Sequence, residues 1–148
     1  MFVLVTFVGH RQPNVYSKKR RKFLNLIFFV TVPERLLGML DFPYQPIQLA
    51  AKDRGFDISK LRARQIKIAD FNEFDLLVVM DQENRSNLQN LCPEQSDKVH
   101  LLTDYSLEDL EYDYVPDPYY TRNFSQTLDI IEASLNGLVE SVRHHNNK

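Results

Sequence analysis

The segment Val115-Pro116-Asp117-Pro118-Tyr119-Tyr120 sets one carboxylate between two prolines and follows it with two aromatic side chains. Proline fixes φ at about −65° and removes an amide donor, so the pair confines the backbone around Asp117. A general acid needs that confinement, because it must meet a leaving group at one point in space. The two rings that follow can wall a planar substrate. The same composition also makes a rigid, proline-rich surface turn, and the segment alone does not choose between the two. A second carboxylate, Asp81, stands where an acid caps a helix over residues 82–91, with Asn84 three positions further on.

Candidate nucleophiles are scarce. Cys92 is the only cysteine among 148 residues, which excludes an internal disulfide framework and any CxxC zinc or redox pair. The residues between Cys92 and Lys98 include Pro93, Glu94 and Asp97 and no glycine. Such an acidic stretch does not converge N–H groups on a phosphate, and lysine lacks the planar fork of arginine. Gly9-His10-Arg11 runs opposite to the Arg-His-Gly order of histidine phosphatases. The residues call for no metal and no cofactor.

These side chains need elements to hold them. With 43% apolar and 26% charged residues, the chain has the composition of one globular domain with one core. From residue 43 onward helical and strand patterns alternate at short spacing, which predicts an α/β domain with a parallel sheet. Residues 47–54 read as a helix closed by Gly55, and Asp57-Ile58-Ser59 opens the next turn. Residues 74–80 form a continuous apolar run of the kind buried in a parallel sheet. Asp81 caps the helix that follows, Pro93 stops it, and residues 98–102 read as another short strand. Over residues 125–143, Leu128, Ile131, Leu135, Leu138, Val139 and Val142 form one stripe, predicting an amphipathic helix docked on a core.

Charge divides the chain. Residues 1–35 hold seven basic residues against Glu34 alone, whereas the remainder holds 11 basic and 19 acidic residues. Lys18-Lys19-Arg20-Arg21-Lys22 has the composition of a nucleic-acid or nuclear-localisation patch, but no aromatic or helix-turn-helix pattern accompanies it. A solvated charge run is the plainer reading, and no nucleic-acid partner is expected. The longest apolar stretch, residues 23–32, is interrupted by Asn25 and Thr31 and falls short of the roughly 20 residues a membrane span needs. It starts too far from Met1 and lacks the cleavage site of a signal peptide. No membrane partner is expected, and the chain reads as cytoplasmic.

The motifs Arg54-Gly55-Phe56-Asp57-Ile58-Ser59, Arg62-Ala63-Arg64-Gln65, Asp70-Phe71, Phe74-Asp75, Met80-Asp81-x-x-Asn84, Leu101-Leu102 and Asp117-Pro118-Tyr119-Tyr120 follow one another in an informative order and spacing. Together they resemble the low-molecular-weight protein-tyrosine-phosphatases over residues 47–142. The resemblance implies a flavodoxin-like, three-layer α/β domain with a short parallel sheet. It implies hydrolysis of phosphotyrosine through a thiolate on a phosphate-cradling loop, C-x-x-x-x-x-R-S, near the N-terminus. In that chemistry an arginine grips the phosphate bidentately and the aspartate protonates the leaving phenolate, then activates water on the phosphocysteine intermediate. By resemblance Asp117 is that acid, Tyr119 and Tyr120 flank the substrate cleft, and Asp81 and Asn84 support the loop. Phosphotyrosine proteins or aryl phosphates are the partners that the resemblance implies for an intact member.

The departure from the pattern is as specific as the match. Residues 1–42 contain no cysteine, so the nucleophile and its loop arginine are missing where the family carries them. Arsenate reductases on this fold need several cysteines and are excluded as well.

A displaced reading frame accounts for the gap. If the last base of each codon is read with the first two of the next, Met1-Phe2 forces Val and Phe2-Val3 allows only Cys or Arg. The junctions up to Arg11 are compatible with V-C-L-G-N-I-C-R-S-P. In the same frame residues 30–35 permit D-S-A-G-T, and residues 38–41 after Leu37 permit W-H-V-G. All three strings belong to the family in that order, and the displacement also explains the basic cluster without a function.

The sequence therefore predicts two parts. Residues 1–42 are an aberrant segment replacing the first strand, phosphate loop and first helix, and residues 43–148 are the remainder of the phosphatase domain. The β-prone residues 2–8 and 28–32 are expected to fill the sites of the first two strands. Of two functional expectations, the first is a phosphatase homologue inactive as written. The second is a non-catalytic module on the same fold that presents an acidic face and the Tyr119-Tyr120 edge to a protein.

Overall fold

The computed structural model of the chain describes residues 45–59 and 65–146. Helix α1 (Gln45–Asp53) and the short α2 (Ile68–Glu73) lead to strand β1 (Leu77–Val79) and helix α3 (Gln82–Leu91). A 3-10 turn, Pro93–Lys98, feeds strand β2 (Val99–Leu101), and a second one, Leu102–Tyr105, follows it directly. A long loop then reaches α4 (Pro118–Thr121) and the closing helix α5 (Phe124–Asn146). The strands pair in parallel, with Leu77 opposite Val99, Val78 opposite His100 and Val79 opposite Leu101. Parallel neighbours cannot be joined by a hairpin, so α3 and its 3-10 turn form the crossover.

Alternation of side chains along β1 divides the core into two. Leu77 and Val79 join Ile66, Phe71, Leu88, Cys92, Val99 and Leu101 on the face covered by α2 and α3. Val78 and Met80 join Leu102, Val115, Ile130 and Leu138 on the face covered by α5. All three residues of β1 are fully buried, because helices cover both faces of the sheet. The expected three layers around a short parallel sheet are present.

Local chemistry sets the element ends. Gly55 adopts φ +85°, and the amides of Gly55 and Phe56 close on the carbonyls of Lys52 and Ala51. Arg54 then reaches Asp129 at 2.7 Å and Glu132 at 3.1 Å, tying the end of α1 to α5. The expected turn at residue 57 forms, with Oδ1 of Asp57 accepting from the amide and hydroxyl of Ser59.

The strand expected over residues 74–80 is shorter, because its first residues end a helix too brief to show a helical period. Phe74 donates its amide to Asp70, and Lys98 Nζ donates to the carbonyls of Phe71 and Phe74, a cation at a helix C-terminus. The buried face of α5 also differs from a purely apolar stripe. It runs through Thr127, Leu128, Ile130, Ser134, Gly137 and Leu138, whereas Ile131, Leu135 and Val142 pack partly buried at its border. Ser134 belongs on it because its hydroxyl bonds the carbonyl of Ile130 at 2.8 Å. The expectations for residues 1–42, including the two β-prone segments and the basic run, and for Arg62-Ala63-Arg64 lie outside the described residues.

Candidate active site

The two carboxylates singled out in the sequence stand beside one hydrogen bond. The carbonyl of Met80, immediately before Asp81, accepts from the amide of Val115 at 2.8 Å, two residues before Asp117. The proline-rich loop is thereby anchored at the carboxyl end of β1, which is where open α/β sheets place their ligand crevices. Val115 and Pro116 are buried, and the hydroxyl of Thr127 on α5 holds the carbonyl of Pro116 at 3.0 Å. Between these two anchors Asp117 is half-buried.

Asp117 also starts α4. Its Oδ1 accepts from the amide of Tyr119 at 2.8 Å, and its carbonyl accepts from Tyr120 and Thr121. Pro118 fills the first helical position, where a missing N–H costs nothing. The short helix closes on Arg122 in a left-handed conformation, φ 59°. That turn brings the Arg122 guanidinium 5.3 Å from the centre of the Tyr119 ring. Tyr119 and Tyr120 meet edge to face at 5.3 Å, both exposed, and Tyr120 is 76% accessible. The rings thus stand on the surface next to Asp117.

Asp81 caps α3 as expected, its Oδ1 accepting from the amide of Asn84 at 2.7 Å. Asn84 itself is only 1% exposed, yet among the described residues neither its Oδ1 nor its Nδ2 has a hydrogen-bond partner. It lies one turn before Leu88 on the face of α3 that packs against the sheet. Helix capping explains the Asp81 carboxylate; it leaves the Asn84 amide without a structural account.

Cys92 lies elsewhere. It sits at the C-terminal cap of α3, 4% exposed among the apolar residues of that face, its sulfur 3.9 Å from Glu94. Away from Asp117, the loop after β2 gathers Asp104, Glu108, Asp109 and Asp113 around a shallow polar hollow. Among the described residues no group of three or more His, Cys, Asp or Glu is placed to hold a metal ion, and no helix is long and apolar enough to cross a membrane.

The positioning roles of Met80 and Thr127 escaped the sequence reading. A single hydroxyl on a buried helix face and one strand-end carbonyl carry no periodic signal.

Comparison with known proteins places this arrangement. The family model described as low molecular weight phosphotyrosine protein phosphatase matches residues 43–148. The low molecular weight protein-tyrosine-phosphatase YfkJ of Bacillus subtilis is 30% identical over 102 residues, covering 68% of this chain and 65% of YfkJ. PtpA of Staphylococcus haemolyticus is 35% identical over 71 residues, 48% of this chain and 45% of its own length. The crystal structure of YfkJ superposes with a TM-score of 0.65 over 70% of this chain and 65% of that one. The apo protein tyrosine phosphatase of Entamoeba histolytica, 26% identical, gives 0.62 over 69% and 71%. The chain thus spans about two thirds of YfkJ and less than half of PtpA. With a parallel sheet, helices on both faces and the Asp117 loop anchored at the strand end, the chain belongs to the low molecular weight protein-tyrosine-phosphatase family.

Proposed function

We propose that this chain derives from an enzyme that hydrolyses phosphotyrosine through a phosphocysteine intermediate, and that as written it does not catalyse that reaction. The observation that carries the reading is the lack of any cysteine in residues 1–42, while Cys92 lies buried at the wrong end of α3. Asp117 is the general acid of the parent reaction, Tyr119 and Tyr120 border its substrate, and Asp81 and Asn84 brace the loop that binds phosphate. Without thiolate, arginine and converging amides there is no covalent route and little phosphate stabilisation, so Asp117 meets no leaving group. Residues 1–42 are a frame-displaced replacement for the first strand and loop, and residues 43–148 are the retained remainder.

Purified chain is expected to hydrolyse p-nitrophenyl phosphate no faster than its Asp117→Ala variant. Vanadate-sensitive turnover above that control would overturn the proposal. The nucleotide sequence tests the frame: codons that spell C-x-x-x-x-x-R-S in the displaced frame support it, and codons incompatible with that string refute it.

A second reading, a non-catalytic module that binds protein, is favoured by the exposed Tyr119-Tyr120 pair and by the acidic hollow around Asp104, Glu108, Asp109 and Asp113. It gains ground if the codons are incompatible with the family loop.

A further inference from the structure

The turn that ends α4 holds a residue its backbone does not favour. Among the described residues Arg122 is the only one other than glycine with a positive φ, 59°, at the cap where its amide closes on the carbonyl of Pro118. Glycine or asparagine fills such a left-handed cap at less cost, so the backbone gives no reason for an arginine here. The side chain does. Its guanidinium stands 5.3 Å from the centre of the Tyr119 ring, which meets Tyr120 edge to face, and all three residues are exposed. Stacking engages the flat face of a guanidinium, whose N–H groups point outward in its plane, the geometry that suits a carboxylate. Charge singles out the same position. Between residues 99 and 142 Arg122 is the only lysine or arginine, against nine aspartates and glutamates. It caps one end of the four-residue α4 and Asp117 caps the other, so a single helical turn spaces this cation from the carboxylate. The acidic residues act over distances that salt screens, whereas a guanidinium beside the substrate acts at contact.

We propose that Arg122 sets the substrate class of this site, a phosphotyrosine flanked by acidic residues, by receiving one flanking carboxylate beside the Tyr119 ring. The proposal rests on the reading of Tyr119 and Tyr120 as the border of the substrate. The rings take the aromatic residue, and Arg122 takes the charge next to it.

The test titrates phosphotyrosine peptides flanked by glutamate, by alanine or by lysine into the full 148-residue chain at physiological salt. NMR follows the ring signals of Tyr119 and Tyr120 and the Nε–H signal of Arg122. The glutamate peptide is expected to shift those signals and to bind roughly two- to fivefold tighter than the alanine peptide, the scale of one exposed charge pair. Arg122→Gln should abolish that difference, and Arg122→Lys should keep part of it. Arg122→Gly, which suits the left-handed backbone, should abolish it while the unfolding midpoint stays or rises, separating recognition from folding. The basic run Lys18–Lys22 also attracts acidic peptides, and every variant retains it, so the comparison isolates Arg122. No shift at Tyr119, equal binding of the glutamate and alanine peptides, a preference for lysine, or a glutamate preference that survives Arg122→Gln overturns the proposal. The catalytic reading fails by a different result. If Arg122 carries the preference while a form translated through the displaced frame is indifferent to Asp117→Ala, the recognition stands and Asp117 is not the acid.

Discussion

The carbonyl of Met80 and the amide of Val115 are joined at 2.8 Å, linking the last buried position of the β1 segment to the loop that carries Asp117. The residues it connects are 35 positions apart, and each is followed closely by a carboxylate. Because Met80 and Val115 also share the apolar cluster beneath α5, the loop is anchored by a hydrogen bond that water does not weaken. An acid held this way keeps its place whether or not a nucleophile stands opposite.

That independence sets the expectation for Asp117. In the chain as written, Asp117→Ala should leave hydrolysis of aryl phosphates unchanged. In a protein translated through the displaced frame so that C-x-x-x-x-x-R-S precedes the retained body, the same change should slow hydrolysis by roughly 10²–10⁴-fold, the usual scale of general-acid catalysis. Steady-state rates on both backgrounds check it, and a folded, restored protein indifferent to the substitution would leave the binding-module reading ahead.

Asp81 serves α3 in this chain irrespective of chemistry. Removing its side-chain acceptor from the amide of Asn84 in Asp81→Ala should destabilise the fold by about 1 kcal/mol, whereas Asp81→Asn, which keeps an acceptor, should cost less. Denaturant unfolding of the two variants distinguishes them.

Gly137 is a helix-interior glycine with a packing reason. A Cβ there would overlap the carbonyl oxygen of Tyr105 and come within 3.1 Å of Leu107 Cγ. Alanine raises helix propensity by about 1 kcal/mol, but the overlap is with backbone and cannot be relieved by a rotamer change. Gly137→Ala should therefore be destabilising, by up to roughly 2 kcal/mol once that gain is taken from the roughly 1–3 kcal/mol of overpacking, as measured by the unfolding midpoint.

Tyr105 gives the fold an alkaline limit. Burial first, and the neighbouring Asp104 charge second, raise its pKa above the ordinary value. An acid whose folded pKa is raised is penalised when it ionises, so its contribution is intact below the unfolded value of about 10 and is lost as pH rises from there through the folded pKa. Tyr105→Phe should flatten the fall in stability above about pH 10 and leave its slope near neutrality unchanged, a comparison that thermal unfolding across pH provides.

Much of this molecule was legible residue by residue. The apolar run before Asp81 needed cover on both faces, Asp81 and Pro93 bounded a helix, and Gly55 ended another, because these effects act within a few residues of their cause. The spaced motifs from Arg54 to Tyr120 carried the family, and the single, misplaced cysteine carried the expectation of inactivity. Tertiary structure decided what depends on partners distant in sequence. It gave Thr127 and Ser134 to the buried face of α5, since hydroxyls join a core when a carbonyl waits for them. It shortened the first strand, because Lys98 closes a preceding helix too brief to leave a period. It alone showed that the amide of Asn84 is buried with no partner among the described residues, for satisfaction of a polar group is a property of its whole surroundings and of no local pattern.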